Sequence, residues 1–372
     1  MLPFLLLALL HLYIGARIAP SLPGNWPPAL FSAALVLSFA LIPVAFFGRR
    51  LRDRAAADRW SWAGMLALGS FAILLPLTLL RDAVLLLAAP IGMFVALPAL
   101  AEPSAWAVPP LAALLLLWGL ANARRPAQVR TVEVPIAGLP ATLQGFTIAQ
   151  ISDVHVGPTV KAGYVQAIVE RVNALQADVV AITGDLVDGR VADLQQDVAP
   201  LAGLQARQGR YFVTGNHEYY SGAREWTAHL RTLGLQVLDN RHVVLGQGEA
   251  RLVLAGVTDV SAHHFIPEQR SDPQRAIAGA PADAAVRVLL AHQPRSAEAA
   301  ATAGFDLQLS GHTHGGQIWP FNFFVPLQQP FVAGLHRLRQ LWIYTSRGTG
   351  YWGPPLRLGA PSEITRLRLV AA

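Results

Sequence analysis

The sequence predicts a helical membrane-spanning bundle followed by a soluble α/β domain, and two observations carry that prediction. Charge is divided unevenly: residues 1–123 hold seven Arg and four acids, while the other forty-one charged side chains lie in 124–372. Beyond residue 130, short β-type runs alternate with helix-type runs, the pattern of an α/β core with partly parallel sheets. The whole chain is 53% hydrophobic and 14% charged over 372 residues, whereas a water-soluble globule carries about 25% charge. The soluble part, ~240 residues, is long enough to bury a full core.

The net charge of +6 is local. Residues 1–130 hold ten Arg against four acids, and residues 131–372 balance nineteen basic with nineteen acidic side chains. A nucleic-acid binder would concentrate basic charge on its soluble domain, so no nucleic-acid partner is expected. The chain has no Cys, which excludes disulfides, thiolate catalysis and Cys-type zinc or iron–sulfur sites.

The first third, 1–123, divides into five apolar runs: 1–16, 28–48, 60–80, 83–101 and 103–123. A helix needs about 20 residues to cross ~30 Å of hydrocarbon, so about five transmembrane helices are expected. Run one lacks the basic n-region of a cleaved signal peptide and is read as a span. The loop RRLRDRAAADR (49–59) is the strongest basic segment and should lie in the cytoplasm. Five spans counted from there put the soluble domain outside the cytoplasm, anchored in a bacterial plasma membrane. Arg124, Arg125 and Arg130 oppose that count, and four spans would reverse it.

A juxtamembrane segment with the first strand is expected over 124–145, including TVEVPI (131–136). Then follow FTIAQIS (146–152), ADVVAITGD (177–185), RYFVTGNHE (210–218), RLVLAGVTD (251–259), VRVLLAHQ (286–293) and FDLQLSGH (305–312). From 177–185 onward each is an apolar strand that runs into Asp, Asn or His, and Asp153 follows the first. LWIYTS (341–346) and EITRLRL (363–369) close the chain as strands, and residues 160–175 carry a helical stripe of Val165, Ile168, Val169 and Val172. Ligand sites in such folds lie beyond the carboxyl ends of strands.

Five of these strand ends carry metal-type side chains: Asp153 and His155 in SDVHVG, Asp185 in TGDLVDG, Asn216 and His217 in TGNHE, His292 in LLAHQP, and His312 and His314 in SGHTHGGQ. Mixed Asp and His ligands suit borderline divalent metals such as Mn, Fe, Zn or Co. One strand-end Asp is more often a turn or cap residue than a ligand. Five such ends in one chain favour a metal site.

These blocks, in this order, resemble the calcineurin-like metallophosphoesterases over most of residues 146–315. The GHTHGGQ form and the tail SRGTGYWGPPLRLGAPSEITRLRL are similar to that family's membrane-associated branch, which includes bacterial membrane phosphodiesterases and animal transmembrane members. The resemblance implies a four-layer α/β/β/α sandwich with a dinuclear metal site over 146–372. It implies that Asp153, His155 and His314 hold one metal, that Asn216, His292 and His312 hold the other, and that Asp185 bridges them. It further implies attack on phosphorus by a metal-bridged hydroxide, with His217 facing the leaving group and Asp188 orienting His217.

His264, beside His263 after VTD (257–259), is a candidate for the substrate rim. IWPFNFFVPLQQPF (318–331) is either a packed loop or an aromatic lip at the bilayer surface, with Phe323 and Phe324 contacting substrate. The expected function is a membrane-anchored phosphoesterase acting on a phosphodiester or pyrophosphate, with a lipid or a nucleotide-linked lipid such as UDP-2,3-diacylglucosamine as a candidate. The alternatives are a silent membrane sensor or scaffold on the same fold, which intact ligands disfavour, and a nuclease of the same superfamily.

Overall fold

A computed structural model describes residues 2–47, 53–89, 98–247 and 249–372. The chain forms two compact units, Met1–Arg124 with Gly353–Leu358, and Arg125–Trp352 with Gly359–Ala372.

Among the described residues the first unit contains four long helices: α1 (Leu2–Ile18), α2 (Trp26–Phe47), α3 (Arg54–Ala88) and α4 (Pro98–Arg124). Each is long and apolar enough to cross a membrane. Among the described residues the expected fifth span is not separate. Residues 60–80 and the start of 83–101 form one 35-residue helix, α3, and residues 90–97 lie outside the described residues. The break was read at Arg81–Asp82, but these charges have partners on the neighbouring helices. Asp82 accepts from Tyr13 Oη at 2.7 Å, from Arg17 Nε at 2.7 Å and from Arg81 at 3.3 Å. Arg81 also donates to Ser104 Oγ and to the Ala101 carbonyl. Charges satisfied in this way do not interrupt a helix.

Close helix approach in this unit depends on small residues. A Cβ on Gly64 would stand 2.5 Å from the Leu41 carbonyl oxygen. The segment Gly353–Leu358 groups with this unit as well. Leu356 fills the notch at Gly69, where a Cβ would meet it at 2.5 Å, and Arg357 N donates to the Gly119 carbonyl at 3.0 Å.

The second unit is built on two six-stranded mixed sheets. The first has the order β1 (Gln128–Ile136), β12 (Glu363–Ala371), β2 (Thr147–Ile151), β3 (Val179–Ile182), β4 (Arg210–Phe212) and β5 (Gln236–Val237). The second has the order β10 (Gly334–Leu338), β11 (Leu341–Thr345), β9 (Leu307–Ser310), β8 (Val286–Leu290), β7 (Ala250–Gly256) and β6 (Arg241–Gln247). Alternation along each strand divides the core. Val179 and Ala181 of β3, and Leu252, Leu254, Val288 and Leu290 of β7 and β8, form one cluster between the sheets. Ala255, Leu289 and Ile343 face the other way and pack with Ala276 of helix α6 (Pro273–Ile277) and with Ala297 and Ala300 of α7 (Ala297–Thr302). On the first sheet the outward residues Val180 and Ile182 are also fully buried, and α5 (Ala162–Ala174) buries its Val165, Ile168, Val169 and Val172. The result is an α/β/β/α sandwich. β2–β3–β4 and β7–β8–β9 are parallel runs, so their carboxyl ends share one edge of each sheet.

Candidate metal centre

The loops beyond β2, β3, β4, β8 and β9 bring the strand-end residues together. Ligand-type atoms converge in three overlapping groups: Asp153 with His155 and His314, His155 with Asp185 and His217, and Asp185 with His292 and His312. Asp185 is common to the last two.

Hydrogen bonds to acceptors outside the cluster show which nitrogen of His292 and of His155 carries a proton. His292 Nδ1 lies 2.8 Å from the Thr183 carbonyl, which can only accept, so Nδ1 is the donor. Its Nε2 then faces Asp185 Oδ2 at 3.1 Å and His312 Nδ1 at 3.2 Å. His155 Nδ1 lies 3.0 Å from Asp188 Oδ1, and its Nε2 faces His314 Nε2 at 3.0 Å. His314 Nε2 stands 3.4 Å from Asp153 Oδ1. Such sets of acceptors converge stably only around added protons or a cation, and outer-shell acceptors of this kind orient metal-binding imidazoles. Asn216 Oδ1 is buried and has no hydrogen-bond partner. A buried amide oxygen without a donor suits a cation. The donor set therefore fits a pair of divalent ions.

The backbone is unusual at the same residues. Asp153, His155, Asp185, His312 and His314 all have φ between 50° and 69°, a left-handed conformation uncommon outside glycine. Two glycines allow the loops to close on the carboxylates. A Cβ on Gly215 would stand 2.2 Å from Asp185 Oδ1, and one on Gly311 would stand 2.1 Å from Asp153 Oδ2.

Electrostatics follow from burial and close pairing. Burial alone would raise the Asp185 carboxyl, but His292 beside it, with His217 and His155, holds it well below the usual range. Burial works to lower His292, yet Asp185 holds it well above its ordinary value. Burial and the neighbouring His292 push His312 down to about 3. Asp188 is buried as well, and His155 and His217 keep its carboxyl low.

Asp188 Oδ1 receives two imidazoles, His217 Nδ1 at 2.6 Å and His155 Nδ1 at 3.0 Å. His217 is further held by its backbone N–H, which donates to Asp185 Oδ1 at 2.8 Å. Burial lowers its pKa, but the hydrogen bond to Asp188 and the charge of Asp185 prevail and raise it to about 9. With Nδ1 committed to Asp188, Nε2 is the atom left to exchange a proton.

The rim residues fare differently. His264 is exposed, with its ring 4.0 Å from that of His263. The aromatic stretch divides: Phe331 packs against the core of the second sheet, whereas Phe323 and Phe324 are 66% and 60% exposed on a short helical loop.

Two supporting residues were not singled out from the sequence. Glu218, the last letter of GNHE, is fully buried. Its Oε1 accepts from Leu186 N at 2.8 Å and Val187 N at 3.3 Å, and its Oε2 from Asp185 N at 3.0 Å and Gly215 N at 2.6 Å. It ties the loop of Asp185 to the loop of Asn216. Gln293, next to His292, donates to both oxygens of the buried Asp259 at 3.1 and 3.0 Å. Only adjacency to a metal-type residue marked either of them.

A family model described as calcineurin-like phosphoesterase matches residues 146–316. The transmembrane protein with metallophosphoesterase domain of Bos taurus is 43% identical over 271 residues, 70% of this chain and 61% of that protein. Its Danio rerio counterpart is 39% identical over 270 residues, 70% of this chain and 62% of that protein. An uncharacterized metallophosphoesterase of Aquifex aeolicus is 33% identical over 220 residues, 58% of this chain and 82% of that protein. The chain thus spans about three fifths of the length of the two animal relatives.

Proposed function

The chain belongs to the calcineurin-like metallophosphoesterase family, and from that premise we propose that it is a membrane-anchored, metal-dependent phosphoesterase that hydrolyses a phosphodiester or pyrophosphate bond. The observation that carries this reading is the convergence of the His292, His155 and His314 nitrogens with Asp185 and Asp153, beside the unpartnered Asn216 oxygen. Asp153, His155 and His314 would hold one divalent ion, Asn216, His292 and His312 the other, and Asp185 both. When bound, the two ions supply Lewis-acid polarisation of the phosphoryl group and a water of lowered pKa.

The remaining chemistry falls to the chain. Asp188 fixes the tautomer of His217, so that protonated Nε2 can give its proton to the departing alcohol oxygen. Asp188 holds His155 through the same oxygen, which links the acid to the metal side of the site. Glu218 keeps the Asp185 loop in register with the Asn216–His217 loop.

Topology bears on the substrate. Four spans put the loop 49–59 and the segment 124–130 on the same side of the membrane, so both clusters of Arg obey the positive-inside rule. This supports a cytoplasmic catalytic unit, the alternative to the extracytoplasmic placement that five spans require. A cytoplasmic site is compatible with a nucleotide-linked lipid, and the membrane anchor with an amphipathic phosphodiester more generally.

The test is metal analysis together with turnover of bis-p-nitrophenyl phosphate by the detergent-purified full chain. Chelation should abolish turnover, and Mn, Zn, Fe or Co should restore it. Asp185→Asn should lower metal content and lose activity together. Full activity with two metals retained in Asp185→Asn would refute the assignment.

A further inference from the structure

Two motif fragments of the sequence have no place in the metal chemistry: the Gln that ends GHTHGGQ and the aromatic pair in the tail GTGYWGPP. The structure joins them. Gln317 Nε2 donates to the Trp352 carbonyl at 2.8 Å, and Trp352 N donates to Gln317 Oε1 at 2.9 Å. This reciprocal pair pins the backbone of Trp352 to the loop that carries His312 and His314. The indole is set 5.9 Å from the His217 ring, edge to face, and remains 54% exposed.

Other aromatics continue from the same histidine. The Tyr220 ring lies 5.2 Å from His217 and 5.6 Å from Phe265. These two side chains are 61% and 49% exposed. Phe265 then lines an open groove of ≈ 420 Å³ together with Tyr219 and Ile266 and with the charged Arg224, Glu225 and Glu268. An unbroken aromatic track therefore starts at His217 and leads out to a groove. Exposed aromatic surface of this kind is retained where a ligand covers it.

We propose that Trp352, Tyr220 and Phe265 form a specificity subsite for the leaving alcohol, selecting phosphodiesters whose departing group carries a bulky apolar body next to the scissile oxygen, with Gln317 as the positioning residue that presents Trp352. The inference rests on the reading of His217 as the group on the leaving side. It adds a substrate class, because an apolar body on the opposite ester would gain nothing from this track. A lipid-type alkyl chain and a planar aromatic group share the chemistry the track recognises.

The experiment uses the full chain in detergent, loaded with metal, and three diesters of methanol with ethanol, octanol or 2-phenylethanol, all unactivated alcohols. Release of the larger alcohol is followed by mass spectrometry, and kcat/KM is compared as octyl over ethyl and phenylethyl over ethyl. One methylene in an apolar pocket is worth about tenfold or more in discrimination, so at least one ratio should exceed about tenfold in the wild type. A gain for the octyl ester alone identifies an alkyl occupant, and a gain for the phenylethyl ester alone a planar one; either supports the subsite. Trp352→Ala and Phe265→Ala should each lower that ratio about tenfold, Trp352→Phe should restore part of it, and Gln317→Ala should lower it in the same direction. A merely structural role would depress all esters alike and leave the ratios in place. Wild-type ratios near one, or ratios unmoved in both Trp352→Ala and Phe265→Ala, overturn the inference while leaving the phosphoesterase reading intact. Failure of metal-loaded wild type to cleave any of the three, or bis-p-nitrophenyl phosphate, overturns both.

Discussion

Glu218→Gln tests how the loops around the metal centre are held in place. The change is isosteric and removes one acceptor oxygen from a fully buried position. In the native protein Oε1 accepts from Leu186 N and Val187 N, and Oε2 from Asp185 N and Gly215 N. Glutamine keeps one oxygen and places an NH₂ where the other stood. Whichever way the amide turns, two backbone N–H groups face a donor. Each buried donor left unsatisfied costs about 1–3 kcal/mol, so the pair costs about 2–6 kcal/mol. At about 2–4 °C per kcal/mol for a unit of this size, the melting midpoint should fall by roughly 4–24 °C. One of the four donors is the amide of Asp185 itself, so metal content should fall with stability. Differential scanning fluorimetry of the detergent-purified chain and elemental analysis of the same sample measure both. A midpoint within about 2 °C of wild type, the shift that only about 1 kcal/mol would produce, with metals retained, would show that the loops are held by something other than this carboxylate.

His217→Ala should retain metal and lose roughly 10²–10⁴ in turnover of unactivated esters, with a smaller loss for p-nitrophenyl esters that need no proton on leaving; parallel rate measurements on both ester types decide. Because the pKa of His217 is raised to about 9, its acid form is present at neutral pH and is lost as pH rises through that value. The alkaline limb of kcat/KM should therefore lie at or below pH 9, since bound cations lower it, and Asp188→Asn should move that limb to lower pH by removing the carboxylate on Nδ1. A reporter fused after Ala372 should be active in the cytoplasm, and an active extracytoplasmic fusion would require a fifth crossing. Phe323→Ala with Phe324→Ala should leave the melting midpoint nearly unchanged, since both rings are mostly exposed and surface changes stay within about 0.5 kcal/mol. The same pair should slow hydrolysis of a bilayer-embedded diester relative to a soluble one, and equal rates on the two would remove the lip from the substrate path.

The strands that lead into the site were legible because they are buried on both faces and read as apolar runs, as in VVAI of β3 and VRVLL of β8. Those that were not read are edge or near-edge elements. β5 is two residues long, and β10 is only half-buried, so neither carries a strong period. In the first unit, charge at Arg81–Asp82 looked like a boundary because a sequence shows charges and not their partners; Tyr13 and Arg17 are more than sixty residues away. The candidate ligands were visible as residue types at strand ends. The residues that hold them were not, because a carboxylate such as Glu218 acts through backbone groups of any sequence. Gln317 and Trp352 are thirty-five residues apart and meet only through the fold.

The left-handed backbone at five of the candidate ligands explains why so much of the surrounding structure is devoted to holding loops. A non-glycine residue in that region costs on the order of 1–3 kcal/mol, so Asp153, His155, Asp185, His312 and His314 together store at least about 5 kcal/mol. That is a large share of the 5–15 kcal/mol by which a domain is typically stable. Such conformers persist only where neighbouring groups fix them. The His312 amide donates to both oxygens of Asp153, and the His155 amide donates to the Asp185 carbonyl. Gly350 N donates to the Asp153 carbonyl, and a Cβ on Gly350 would stand 2.1 Å from the Val154 carbonyl oxygen. The tail that carries Trp352 is thus also part of the scaffold that keeps Asp153 in its strained conformation. One stretch of chain both braces a candidate ligand and presents an aromatic wall beside His217. Loss of the tail's anchoring should accordingly weaken metal retention and leaving-group selection together, whereas loss of the indole alone should affect only the second.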